Sequence, residues 1–143
     1  MSPDSDTARW RGRNADKDRV RTEVWDGLEA SGINVGPVSS RIPNFAGADL
    51  AAWNLAQLAE WKSADVVKCN PNPPQIPVRL RALYDGKVVY APVPELTARA
   101  PFVRLDPDVL SRQGVSFETA ATSQGSLLYG AQVEFEDMPV LDF

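Results

Sequence analysis

The stretch ADVVKCNPNPPQIPVR, residues 64–79, decides how this sequence is read. Its first part, ADVV, is a short apolar run with two β-branched residues, as expected of a buried strand. The remainder, KCNPNPPQIPVR at 68–79, holds four prolines, two asparagines and a glutamine. Proline has no N–H to give a sheet and fixes its own φ, so the chain leaves the strand through a stiff, non-repetitive corner. In open α/β sheets ligands bind beyond the carboxyl ends of strands. Asn70, Asn72 and Gln75 would sit there, held by Pro71, Pro73, Pro74 and Pro77, which lowers the entropy cost of ordering the loop. Arg79 and Arg81 follow on the next segment, within reach of an anion. Two readings stay open at this point: a punctuated strand-to-helix turn, with Pro77 near a helix start, or the rigid wall of a ligand site.

Working outward, the flanking segments alternate. Val20, Val24 and Leu28 recur at helical spacing and predict an amphipathic helix over about 15–30, ended by Gly32. A Gly-, Pro- and Ser-rich connection follows. Leu50, Trp53, Leu58 and Trp61 predict a second helix over 47–62, with both tryptophans on its core face. Downstream of the proline segment, VRLRALYDG predicts a helix closed by Gly86 in a left-handed cap. KVVYAPV and FVRL read as strands, DPDVLSRQG as a short helix, SFETA as strand and SQGSLLYGAQV as helix. The closing MPVLDF is strand-like. Helix–strand alternation predicts an α/β fold with a mostly parallel sheet. Residues 1–14 read as a flexible tail and 15–143 as a single α/β domain.

The composition bounds what the chain can do. At 143 residues it is long enough for one domain with a real core. Its net charge of −4 gives no general attraction to nucleic acid or anionic membrane. There is no histidine, which excludes Ser-His-Asp and Cys-His catalysis and His-ligated metal. The one cysteine, Cys69, excludes an intrachain disulfide and points to a reducing, cytoplasmic compartment. No apolar run reaches the roughly 18 residues of a membrane span, and the N-terminus lacks a signal-peptide core.

Other candidate groups have ordinary alternatives. Lys17 and Arg21 are four apart on one helix face and suit a phosphate, yet Asp16, Asp18 and Glu23 are interleaved and favour a solvated face. DGK at 85–87 lacks the rest of a phosphate loop and reads as a cap entering a strand. Cys69 has no possible His partner and reads as a small buried residue. Glu134, Glu136 and Asp137 read as a solvated acidic turn.

Residues 41–96, RIPNFAGADLAAWNLAQLAEWKSADVVKCNPNPPQIPVRLRALYDGKVVYAPVPEL, resemble the archaeal, cyanobacterial and plant branch related to 5-formyltetrahydrofolate cyclo-ligase. That branch carries, in this order, RIPNF-x-GA, W-x-x-A-x-x-V-K, NPD-x-PQ-x-PVR and DGK-x-x-x-x-x-P. The resemblance runs from Lys17 nearly to the end. It implies a three-layer α/β fold with a mostly parallel sheet flanked by helices, similar to the ribose-5-phosphate isomerase and CoA-transferase group. It further implies ATP-dependent conversion of 5-formyltetrahydrofolate to 5,10-methenyltetrahydrofolate, with Mg²⁺, in a cytoplasmic protein acting on a folate or related heterocycle. Lys17 and Arg21 match the family's K-x-x-x-R contact with ATP phosphates, and Asn70, Gln75 and Arg79 fall in its substrate loop. No metal ligands, nucleic-acid partner or membrane partner are implied, and a homo-oligomer would be one way to cap an open sheet edge.

Two departures accompany the resemblance. The C-terminal signature GKGxGYxD is absent, so the chain is expected to be shortened before it. Characterised cyclo-ligases also carry an acidic Glu-x-x-Thr pattern where this sequence has PQIPVR, so Gln75 supplies no negative charge. A related reaction of a divergent branch, linked to thiamin, and a non-catalytic ligand-binding remnant are therefore the alternatives.

Overall fold

The computed structural model describes residues 14–93 and 99–139. Their contacts divide the chain into two units, Met1–Ala48 and Asp49–Phe143. Most of the expected 1–14 tail, the segment 94–98 after KVVYAPV and the last four residues of MPVLDF lie outside the described residues.

The first unit is built on helix α1, Ala15–Ser31. Asn14 caps it: its Oδ1 accepts from the N–H groups of Asp16 and Lys17 at 2.9 and 3.2 Å. Gly32 ends it at φ 69°, in the left-handed region that a side chain would disfavour. The expected apolar face is not covered, because Val20 and Val24 remain about half exposed and the helix buries no residue. The connection that follows folds back on itself. Asn34 and Phe45 form an antiparallel bridge, with Val35 donating to the Asn44 carbonyl at 2.9 Å and Ala46 to the Ile33 carbonyl at 2.7 Å. Trp25 Nε1 ties the helix to that turn by donating to the Arg41 carbonyl at 3.1 Å.

The second unit holds the sheet. The helix expected over 47–62 is two helices, α2 (Ala48–Leu55) and α3 (Ala59–Ser63). The chain turns extended at Leu58, so the two tryptophans do not share a face. Trp61 is 6% exposed in the core, whereas Trp53 is 50% exposed. Strand β1 (Val66–Lys68) leads through the proline corner to α4 (Ile76–Tyr84), and α4 crosses to β2 (Val88–Pro92). This β–α–β unit makes β1 and β2 parallel, in the register Val67 opposite Val89.

From there the chain departs from the expected mostly parallel sheet. Strand β3 (Phe102–Leu105) pairs antiparallel with β2, Val89 opposite Leu105 and Ala91 opposite Val103. The physical reason is length: a parallel return needs a crossover of about a dozen residues or more, and the connection from Pro92 to Phe102 is shorter. After α5 (Pro107–Arg112), α6 (Phe117–Ala120) and α7 (Ser123–Tyr129), strand β4 (Ala131–Val133) also pairs antiparallel, with β3. The open sheet has the order β1-β2-β3-β4, one parallel pairing and two antiparallel. SFETA, expected as strand, is helix α6, because Ser116 accepts from the Thr119 N–H and starts a turn.

Alternation along a strand puts Val67, Val89 and Leu105 on one sheet face. There they join Trp61, Cys69, Ala82, Leu83, Leu110 and Ala120 in the main core. Helix α7 lies close against β3 at Gly130, where a Cβ would come within 2.5 Å of the Ser126 carbonyl and 2.9 Å of Val103 Cβ.

Candidate functional site

The site of interest is the corner between β1 and α4. The last parallel rung is the Cys69 N–H donating to the Tyr90 carbonyl at 3.0 Å, and beyond it the sheet no longer sets the backbone. Asn72 is extended, Pro73–Gln75 makes a single 3₁₀ turn, and Pro77 falls in the first turn of α4, where its missing N–H costs nothing.

Two side chains close this corner. Gln75 reaches back so that its Oε1 accepts from the Asn70 N–H at 2.9 Å, while its own N–H donates to the Asn72 carbonyl at 3.1 Å. Arg79, 0% exposed, reaches up from α4 beneath the loop. Its Nε donates to the Ala121 carbonyl at 2.7 Å, its second nitrogen to the Asn70 carbonyl, and its third to the Pro71 carbonyl at 3.4 Å. The Ser123 hydroxyl donates to the Pro71 carbonyl as well. A proline-rich segment presents carbonyls without matching N–H donors, and the guanidinium fork supplies the donors that the backbone lacks. Arg79 is thus turned inward onto backbone, and burial lowers its pKa, partly offset by the neighbouring Cys69.

Sequence reasoning placed Asn70, Gln75 and Arg79 together, and the structure brings all three into one hydrogen-bonded unit. It missed the partners supplied from far along the chain, Ala121 and Ser123, which no local pattern announces. Asn72 has a separate interest. Its Oδ1 is buried and has no hydrogen-bond partner among the described residues, an uncommon state for a buried acceptor.

Gln75 also lines a cleft of about 610 Å³ beside β1, walled mainly by Leu55, Leu58, Val67 and Val78, with Glu60 and Lys68 as its charged groups. A mostly apolar cleft with one amide and one charge of each sign suits a flat ligand with a few hydrogen-bonding groups. The Cys69 thiol has its pKa pushed up to about 11, chiefly by burial, with Arg79 opposing the rise. It is a neutral packing group and not an activated nucleophile.

Lys17 and Arg21 lie in the first unit, on the opening turns of α1, beside a shallow cleft of about 360 Å³ that also touches Asp16, Arg19 and Val20. Lys17 is exposed and makes no ion pair among the described residues. Arg21 Nη1 donates to Asp18 Oδ1 at 2.7 Å within the helix, so an anion there competes with Asp18. Lys17 stands in the first turn of the capped helix, the end where the helix dipole is positive. Among the described residues no three His, Cys, Asp or Glu side chains group as metal ligands. No described helix is long and apolar enough to cross a membrane.

Neither a protein-family model nor a solved structure matches the chain. Curated relatives do. The chain is 31% identical over 128 residues to the methenyltetrahydrofolate synthase domain-containing protein of Bos taurus, covering 88% of this chain and 33% of that protein. It is 35% identical over 128 residues to the protein of the same name from Danio rerio, covering 86% of this chain and 32% of the relative. The human counterpart is 29% identical over 128 residues, 88% of this chain and 33% of its own length. The chain spans about a third of the length of these relatives. The similarity supports the cyclo-ligase-like family to which the RIPNF and PQ-x-PVR motifs point.

Proposed function

We propose that this chain is a cyclo-ligase-like protein that takes a folate or related heterocycle against the Asn70–Gln75 corner. The observation that carries this reading is the similarity to methenyltetrahydrofolate synthase domain-containing proteins, which extends over most of the chain and therefore through the clasped loop. In the reaction so implied, ATP supplies the phosphoryl group that activates the formyl oxygen, and ring closure expels phosphate. Such chemistry asks the protein mainly for positioning and for cations around the phosphates. Lys17 is the side chain that would hold the ATP phosphates, with Arg21 already paired to Asp18. The Gln75 amide, which lines the cleft, offers a neutral N–H donor to a pterin-like ring while its oxygen stays on Asn70, and Arg79 keeps the loop carbonyls fixed behind it.

A second reading has its own support. The Gln75 and Arg79 side chains are committed to the loop itself, and the neighbouring Cys69 thiol is neutral. A binding module that holds the heterocycle without turning it over has the same geometry, as does a divergent, thiamin-linked enzyme of the same branch. Absorbance of methenyltetrahydrofolate, followed with ATP, Mg²⁺ and 5-formyltetrahydrofolate, separates these. A protein-dependent rise that disappears in Lys17→Ala supports the enzyme. Absence of turnover together with a thermal shift on adding 5-formyltetrahydrofolate supports the binding module. Neither signal removes the folate reading.

A further inference from the structure

Asp85 and Lys87 of the DGK segment border a second cavity, which shares only Trp61 with the lining of the cleft at the corner. It measures about 380 Å³ and is lined by Lys62, Arg81 and Lys87, with Asp85, Gln57 and Trp61. It sits at the amino ends of β1 and β2, since Ala64 precedes the first strand and Lys87 the second, while the Asn70–Gln75 corner is at the carboxyl end of β1. We propose that this cavity is an anion site for a small ligand of the phosphate class bearing at least two negative charges.

Charge marks this cavity, as it does the α1 cleft with Lys17, Arg19, Arg21 and Asp16, and here one of the cations is buried. The chain carries more acids than bases, 19 against 15, so a cavity with three cations and one carboxylate runs against its average. The carboxylate, Asp85, is held by Trp61 Nε1, which donates to its Oδ2 at 2.8 Å, and it leaves the lining with a surplus of positive charge. Neither Lys62 nor Arg81 forms an ion pair among the described residues. Lys87 is 6% exposed, an expensive place for an ammonium without compensation. It donates to the Ala64 carbonyl and lies 5.4 Å from the Trp61 ring centroid. An ammonium has three donors, so this carbonyl leaves capacity for an anion. Three like charges around one cavity repel, and a multiply charged anion relieves that repulsion through charge-assisted hydrogen bonds. The three come from separate places, α3, α4 and the entry to β2, so only the folded unit assembles them.

Isothermal titration with sodium diphosphate, at ionic strength held constant with sodium chloride, tests the site. Saturable binding is expected, weakened about tenfold in Lys62→Gln and in Arg81→Gln. Neither replaced side chain is buried, so both variants keep the fold, which circular dichroism checks. Arg112→Gln removes an exposed cation of α5 that lines neither cleft nor the cavity and is expected to bind as the parent does, and with no folate in the titration the outcome stays separate from that of the folate reading. No saturable heat, equal affinity in the two cavity variants and the parent, or an equal loss in Arg112→Gln would each overturn the assignment.

Discussion

Arg79 shows how much one buried side chain can carry. It is a cation enclosed by protein, and its stability there comes from the carbonyls of Asn70, Pro71 and Ala121. Replacing it with methionine of similar length would leave those acceptors without donors, and a loss of about 3–5 kcal/mol is expected in urea unfolding. Arg79→Lys is expected to recover only part of this, because an ammonium cannot spread its donors as a planar fork does. Cys69 gives a prediction in pH. Burial holds its thiol at about 11 in the folded chain against 9.0 for the exposed group, so the folded state keeps a proton that the unfolded state releases. The contribution is complete below pH 9, falls as pH rises toward 11, and amounts to about 2–3 kcal/mol in all. Denaturation midpoints of the parent should therefore drop across that window more steeply than those of Cys69→Ala. At Gln75, Gln75→Glu keeps an oxygen for the Asn70 N–H and adds the charge that characterised cyclo-ligases carry. Stability within about 0.5 kcal/mol of the parent is expected, with a gain in 5-formyltetrahydrofolate affinity measured by titration.

At the scale of elements, the proline corner and the helix after it were legible because proline and asparagine restrict the backbone locally, whatever the rest of the chain does. The direction of β3 and β4 was not legible. Strand composition reports burial and says nothing of direction; the short connection from Pro92 to Phe102 carries it for β3, and for β4, reached through three helices, no local feature does. The break between α2 and α3 was hidden for a similar reason, since the apolar repeat continues through Leu58 while the backbone does not. The packing of α7 on β3 depends on Gly130, a residue read only as part of a helical run. Gly130→Ala places a methyl group 2.9 Å from Val103 Cβ and 2.5 Å from the Ser126 carbonyl, and is expected to cost about 3 kcal/mol. A change below about 0.5 kcal/mol in urea unfolding would mean that α7 moves away from the sheet at little cost.

Across the whole molecule, the sheet offers two ends of opposite character. Its carboxyl end has a neutral, clasped loop beside an apolar cleft, and its amino end gathers Lys62, Arg81 and Lys87. Of the candidate residues, the sequence placed Asn70, Gln75 and Arg79 in one loop because they are close along the chain. The inward turn of Arg79 and the basic cavity depend on contacts between distant residues, Arg79 with Ala121 and Lys87 with Ala64, and local pattern cannot report these. The corner between β1 and α4 is the face that the proposed heterocycle covers. Hydrogen–deuterium exchange on the intact chain, with and without 5-formyltetrahydrofolate in the presence of ATP and Mg²⁺, reads this directly. Slowed exchange in peptides spanning residues 66–80 is predicted, and unchanged exchange there with ligand bound elsewhere would contradict it.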